Sequence, residues 1–568
     1  MNMAKVAVYF DRTSSLKRWA AGENVFEIYL KHVLEYAGIP FTWIENDEEI
    51  SNEYDILILP LDPIEQSSND RIVEFIVQGG ALISYGGLKE IGARLGCRSK
   101  EIKKGYADGV NEDIHVSLRF LKAITLEGLS DKVEITEERG ILRSNTPIGE
   151  KAGAVYQRFT YGKGEVHRWA VDIIGSVVGF QQGTKPITED GVRAPDGTAN
   201  LDDQLLKADD GFELDWEWDR SITETGEKYF TYPYADLWKE VLIAQFLRTA
   251  LQKDKTLPII DYWPEGIDQV AMISHDSDIN QDESAEMTLE VLKECGLKST
   301  WCMMEPGYSE KIYQKIEDEG HELAFHYNAL ETDEGFWSEA EFSRQLSWLK
   351  QAAGKSEIFS NKNHYTRFEK WGELFDWCEK HGIQSDQTRG PSKKGNIGFL
   401  FGTCHPYFPV SWADQNNRLY DVVEISFLTQ DVDLDRLADK SIVKPFLNNV
   451  KMVRGVAHFL FHQIHIFRQQ SVRQAVKFVI QEARRMGFTF WTGEQINKWV
   501  RERLKMKIVG INPDGSMKVA NAVENAVILI PVSNKEKVNE NELVNRYGLP
   551  CEKHVINGKN LIELGDKL

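Results

Sequence analysis

The sequence predicts an α/β protein of three units: an open parallel-sheet unit over 1–252, a distorted (β/α) barrel over 253–502 and a small β unit over 503–568. Three observations carry this reading. Short β-branched runs alternate with helically spaced apolar residues through the first unit. The same rhythm restarts after Lys253–Glu265, which reads as a linker punctuated by Pro258 and Pro264, but now polar residues cluster where strands end. Past Arg501 the helical spacing gives way to hairpin signals.

In the first unit, Lys5–Phe10 is a short apolar run and Asn24–Tyr36 has helical spacing through Val25, Ile28, Tyr29, His32, Val33 and Tyr36. Asp55–Pro60 reads as a buried strand, Asp70–Val77 as a helix stopped by Gly79-Gly80, and Ala81–Ser84 as the next strand. A βαβ rhythm of this kind predicts a parallel sheet with helices on both faces. Tyr54–Pro60, the run Phe75 to Gly87, and Tyr161-Gly-Lys-Gly-Glu-Val together resemble a class I glutamine amidotransferase-like domain, which is flavodoxin-like. Working members of that family carry a cysteine on the turn after the strand, where a sharp strand-to-helix bend exposes the nucleophile. The resemblance puts Tyr85 there, and a phenol forms no thioester, so the unit is expected to lack glutaminase activity. Lys185–Arg220, acidic and rich in Gly, Asp and Thr, reads as a surface excursion. Its Trp216 and Trp218 are expected to pack against the domain edge rather than stack on a sugar. The helix Tyr234–Leu251 closes the unit.

The 568-residue chain is 42% hydrophobic and 27% charged, with a formal net charge of -21. That balance argues against bulk nucleic-acid binding, which needs a basic face for phosphates. The cysteines at 97, 295, 302, 378, 404 and 551 form no CxxC pair and read as reduced core thiols. No apolar run approaches the roughly 18–20 residues that span a bilayer, and the start lacks the apolar region of a signal peptide. The expectation is a cytoplasmic protein with no membrane contact; the oligomeric state stays open.

The chemistry is expected in the second unit. Strand Gln269–Ser274 runs into His275-Asp276-Ser277-Asp278. Helix Ser284–Glu294 stops at Gly296, strand Lys298–Met304 leads to helix Ser309–Glu319 and Gly320, and strand Glu322–Phe325 ends at His326. Such βαβ crossovers are right-handed and, repeated, make a barrel whose chemistry sits at the C-terminal strand ends. Paired carboxylates at a strand end with a distant histidine suit a hydrolytic metal site: one carboxylate binds the cation and the other stays free as a base. The competing expectation is that His275 and Asp276 cap a helix or pair with an arginine.

Taken in order, Ser274-His-Asp-Ser-Asp278, Gly320-His-Glu-Leu-Ala-Phe-His326, Asn363-His-Tyr-Thr-Arg367, Gly402-Thr-Cys-His-Pro406 and Phe461-His-Gln-Ile-His465 resemble the polysaccharide deacetylase (NodB-homology) family, carbohydrate esterase family four. The resemblance spans about Gln269 to Val500. It implies that Asp276 is the catalytic base, Asp278 the metal carboxylate, His326 the first metal histidine and His462, after strand Gly455–Phe461, the catalytic acid. It also implies a divalent metal, zinc foremost, and an acetylated saccharide substrate losing an N- or O-acetyl group. The sequence departs from the family at Leu330, where the second metal histidine belongs, and at Asn363-His364-Tyr365, which replaces Arg-x-Pro. The expected third ligand is therefore His364, following strand Glu357–Ser360, while Glu331 and Asp333 are expected in solvent. Two alternatives stand beside this: hydrolysis of a cyclic amide or ureide on the same barrel, and a non-catalytic carbohydrate-binding or scaffolding protein.

The remaining polar candidates divide. His321 and His458 read as structural; His405 either lines the pocket or does not; His465 faces the site or supports His462; Arg367 pairs with Asp276 or lies on the surface. In the last unit, Met506–Ile511 and Met517–Val519 flank a hairpin at Asp514-Gly515. Asn525–Val532 is a strand, and Val555-Ile-Asn-Gly-Lys signals a second hairpin.

Overall fold

Two parallel sheets organise the chain in the computed structural model, which describes residues 2–85, 88–94, 96–111, 114–127, 133–199, 204–434, 437–512, 517–533 and 543–557. The first sheet contains β1 (Val6–Tyr9), β2 (Thr42–Ile44), β3 (Ile56–Leu59), β4 (Ala81–Tyr85), β5 (Glu134–Arg139), β6 (Tyr156–Tyr161) and β7 (Gly164–Trp169), in the order β2-β1-β3-β4-β7-β6-β5. Pairing is parallel from β2 to β7 and antiparallel at β6 and β5. Strands β1, β3 and β4 are buried throughout, as unbroken apolar runs in a sheet covered on both faces must be. Tyr85 ends β4, buried and edge-on to Phe246; residues 86 and 87 lie outside the described residues.

The second sheet contains β8 (Val270–Asp276), β9 (Thr300–Met303), β10 (Glu322–Tyr327), β11 (Ser360–Asn363), β12 (Ser385–Asp386), β13 (Val423–Glu424), β14 (Thr429–Gln430), β15 (Val456–Leu460) and β16 (Thr489–Phe490). Its order is β13-β12-β11-β10-β9-β8-β15-β14, with β16 pairing the start of β8, and every pair is parallel. The two ends of this order are the two ends of one stretch, Val423 to Gln430. Ile425 donates its amide to Asp386 on one edge (2.8 Å) and Leu428 donates to His458 on the other (2.9 Å), so the sheet curls back on itself.

The strand expected at Glu357–Ser360 lies further along, at Ser360–Asn363. Its sequence, Ser-Asn-Lys-Asn, has no hydrophobic signature because the space it faces is polar. Side chains of period two enter that space in layers. Lowest is Glu322, which accepts hydrogen bonds from Thr300 Oγ1 (2.6 Å), Ser360 Oγ and the backbone amide of Glu494 (2.9 Å) in the first turn of helix Gly493–Lys505.

Two further expectations need correction. Lys253–Glu265 is no loose linker: Ile259–Ile260 pairs antiparallel with Val527–Pro531 as the edge of a four-stranded C-terminal sheet, and Leu257, Tyr262 and Trp263 are buried. Lys185–Arg220 is not all surface. Ile187 exchanges two backbone hydrogen bonds with Lys370 (2.8 and 2.7 Å), and buried Asp209 accepts from Ser392 and Asn396. Trp216 packs on Phe212 and Phe230. In the last unit Lys507–Ile511 pairs with Met517–Ala520, with Asp514 and Gly515 outside the described residues. The Val555 hairpin signal runs into residues 558 and 559, also outside them. The hairpin that is described joins Leu543–Arg546 to Leu549–Val555 through Tyr547-Gly548, both at positive φ, as a type I′ turn requires.

At the seam, Asp386 and Glu424 are register partners and fully buried. Burial pushes both carboxyls up, Glu424 well above the usual range, where Asp386 adds to the effect and Arg389 opposes it. An acid whose folded-state pKa is raised stabilises the fold at low pH, and that stability is lost as pH rises from the unfolded value toward the folded one. Urea unfolding should therefore show stability falling as pH climbs above the ordinary carboxylate range. Glu424→Gln should flatten that slope; an unchanged slope would contradict the role given to the pair.

Candidate metal centre

The polar groups singled out by sequence converge at the C-terminal ends of β8, β10, β11 and β15. Asp276 is the last residue of β8 and Asp278 lies two beyond; His326 is in β10; His364 follows β11 directly; His462 lies two past β15. Asp278 Oδ1 is 3.2 Å from His326 Nε2 and 3.3 Å from His364 Nδ1. All three donor atoms fall within 4.8 Å of one another, a group able to hold a cation. Ligands about 2.0–2.1 Å from a tetrahedral ion stand about 3.3 Å apart, so both separations fit a zinc-like ion. His326 supports the fit through its other nitrogen: Nδ1 lies 2.9 Å from the Lys362 carbonyl, which only accepts. A proton therefore sits on Nδ1, and Nε2, which faces Asp278, is the atom turned toward a cation, the usual way a metal histidine is oriented.

Leu330 sits at the start of the short turn Glu331–Asp333 and offers no donor atom. Asp333 Oδ2 is 3.9 Å from His364 Nε2, on the side of the ring away from Asp278.

Asp276 faces a cation that sequence reading did not find. Lys362 Nζ lies 3.1 Å from Asp276 Oδ1, and Lys362 is fully buried. Burial raises the Asp276 carboxyl, but Lys362, His326 and His462 outweigh it and hold the group below its usual range. Arg367 instead pairs with Glu369 (2.6 Å) and donates to the Ala329 carbonyl. The reason is register. Ser360, Lys362 and His364 alternate onto the inner face, whereas the chain turns through positive φ at Tyr365 and Thr366 and carries Arg367 away. A correct strand register would have exposed the signal, a lysine two residues before the histidine.

His462 has a second missed partner. Its Nδ1 is 2.5 Å from Asp431 Oδ2, its backbone amide donates to Asp431 Oδ1 (2.8 Å), and its Nε2 faces Asp278 Oδ2 at 3.3 Å. Burial opposes a charge on this ring, but Asp431 and Asp278 outweigh it and raise its pKa well above the ordinary histidine value. The same field, led by His462 and His364, overcomes burial to hold Asp278 well below the carboxylate range. His465 lies 4.0 Å from Asp431 Oδ2. Asp431, His462 and His465 form a second close group, but 2.5 Å is a hydrogen bond and shorter than the roughly 3 Å between two ligands of one ion.

The other candidates do not reach the site. His405 contacts the Val453 carbonyl (2.7 Å) and Tyr36, between the first and second units. His321 accepts from the Ser299 amide, and His275 donates to the Phe461 carbonyl instead of capping a helix. His458 lies in the wall beneath Asp276.

No family model and no curated protein sequence matches the chain. Among solved structures it is similar to a protein described as a polysaccharide deacetylase from Mycobacterium smegmatis, at 16% identity and a TM-score of 0.32 over 43% of this chain and 93% of that one. It is similar to a family 4 carbohydrate esterase from Bacillus anthracis at 13% identity and a TM-score of 0.25, over 41% of this chain and 83% of that one. A β-galactosidase from Bacillus circulans sp. alkalophilus matches at 16% identity and a TM-score of 0.25; the chain spans only 30% of its length.

If Asp278, His326 and His364 hold the ion, His364→Ala should lower zinc affinity by about a hundredfold or more, measured by competition with a chelating dye. Asp333→Ala and Glu331→Ala should leave it within a few-fold. Retained affinity in His364→Ala would remove His364 from the ligand set.

Proposed function

We propose that the chain is a metal-dependent hydrolase that removes acyl groups, acetyl foremost, from a saccharide through an amide or ester bond. The observation that carries this reading is the arrangement around Asp278: a three-donor group with ion-like spacing, a separate carboxylate at Asp276 and a carboxylate-supported histidine at His462, all at one mouth. Asp278, His326 and His364 would hold a divalent metal, zinc by preference, which when bound polarises the acyl oxygen and acidifies water. Asp276 is left outside the donor group, and Lys362 keeps it ionised, so it takes a proton from the attacking water as the water oxygen bonds to the acyl carbon. His462, its Nδ1 proton held by Asp431, presents Nε2 and delivers a proton to the leaving nitrogen or oxygen as the bond to the acyl carbon breaks. The products are the carboxylate and the free amine or alcohol.

The saccharide comes from the motif order, which resembles the polysaccharide deacetylases. In this reading 253–502 is the catalytic unit, 1–252 a non-catalytic amidotransferase-like unit and 503–568 a small β unit.

Asp276→Asn should cut hydrolysis of 4-nitrophenyl acetate, and of acetylated amino-sugar oligomers, by about 10²–10⁴ while zinc content stays at the wild-type level. Parallel loss of zinc and activity would mean that the two carboxylates have been given each other's roles.

A further inference from the structure

Beneath the candidate centre lies a buried chain of hydrogen bonds of which the proposed mechanism uses only the lysine at its head. Lys362 Nζ donates to Ser274 Oγ at 2.6 Å; Ser274 Oγ lies 2.8 Å from His458 Nε2; His458 Nδ1 lies 3.1 Å from the Ile425 carbonyl. Lys362, Ser274 and His458 are all fully buried, and each comes from a different strand: β11, β8 and β15. Phe427 closes the side, 5.2 Å from the ammonium and edge-on to the His458 ring at 6.0 Å.

The direction of this chain is fixed by chemistry. An ammonium only donates and a carbonyl only accepts. Ser274 therefore accepts from Lys362; the Ile425 carbonyl takes the His458 Nδ1 proton, and because burial keeps that ring neutral its Nε2 is bare and accepts the Ser274 proton. The contact between Lys362 and Asp276 is different in kind: at 3.1 Å it is an ion pair whose carboxylate oxygen lacks an aligned hydrogen bond. The short, directional contact on the ammonium is the one to Ser274.

Resting on the function proposed above, we propose that His458 and Ser274 are positioning residues: through one polarised relay they set the place of the Lys362 ammonium, and thereby the place of the Asp276 carboxylate. His458 is the anchor because Ile425 belongs to the stretch Val423 to Gln430 that joins the two edges of the sheet. The relay so ties the base to the seam that closes the curled sheet.

The test uses the full zinc-loaded chain with 4-nitrophenyl acetate as probe and four variants: His458→Leu, His458→Gln, Ser274→Ala and the double Ser274→Ala/His458→Leu. His458→Leu and Ser274→Ala should each lower kcat by about ten- to a hundredfold, the scale of a misplaced catalytic group, with KM and zinc content unchanged. His458→Gln should recover most of the loss, since its amide can donate to Ile425 and accept from Ser274. The double variant should be no worse than the poorer single, as expected for members of one network. Additive losses, or a glutamine variant as poor as the leucine variant, would overturn the proposal. A second readout needs no turnover: imidazole ¹⁵N shifts should show His458 protonated at Nδ1 and bare at Nε2, with the Nε2 shift moving in Ser274→Ala. A protonated Nε2 in the wild type overturns the relay even if hydrolysis is normal. If the wild type hydrolyses no acetyl ester, the proposed function falls, and the nitrogen shifts alone then decide the relay.

Discussion

A single buried ammonium organises the centre of this protein. Lys362 points into the curled sheet, where an unpaired charge would be prohibitively costly. Carried on β11, it is answered by β8, with Ser274 and Asp276, and through Ser274 by His458 of β15. The carboxylate that neutralises it sits one step below the metal-like group, so the same pair that makes the charge tolerable also keeps Asp276 anionic. Removing one member of such a pair leaves the other buried and uncompensated. The interior beneath the mouth is polar in layers, from Glu322 and Ser360 upward, in a place where apolar packing is usual.

The mouth is held from outside as well. Tyr365 and Thr366 take positive φ immediately after His364, a conformation that non-glycine residues adopt at a cost. The segment that follows is pinned by the first unit: Phe368 donates to the Leu206 carbonyl, and Lys370 exchanges backbone hydrogen bonds with Ile187. The excursion of the first unit thus buttresses the loop that presents His364. Deeper in the same contact, Asp236 accepts amides from Cys404 and His405 while pairing with Lys239, and Glu240 forms a bidentate pair with Arg546 of the last unit. Buried pairs of this kind fix orientation more than they add stability.

Two of the histidines at the mouth, His326 and His462, are distinguished by their supports. His326 is oriented by a neutral carbonyl, which leaves its Nε2 to face a cation. His462 is oriented by a carboxylate, which favours its charged form. Residue type alone does not separate these roles; the partner behind each ring does.

The chain announces much of itself. Alternating runs in 1–252 and repeated βαβ spacing after Val270 were enough for two parallel sheets, because hydrophobic period and glycine stops are local signals. Asp276, Asp278, His326, His364 and His462 could be picked out because the motifs that hold them resemble, in order, those of the polysaccharide deacetylases, and most follow strand-like runs. Lys362 and Asp431 could not. Lys362 lies in a strand without a hydrophobic pattern, so its inward direction depends on a register that only neighbouring strands impose. Asp431 is one of several aspartates in a short run, and what singles it out is His462, 31 residues away in sequence. The structured path of Lys253–Glu265 was equally hidden, since its strand partner, Val527–Pro531, comes from the far end of the chain. The sequence by itself determined the candidate groups for the chemistry and the elements that deliver them. Only the tertiary structure decided which partner stands behind each group, because the distances that set charge, tautomer and orientation are made between strands that the sequence keeps apart.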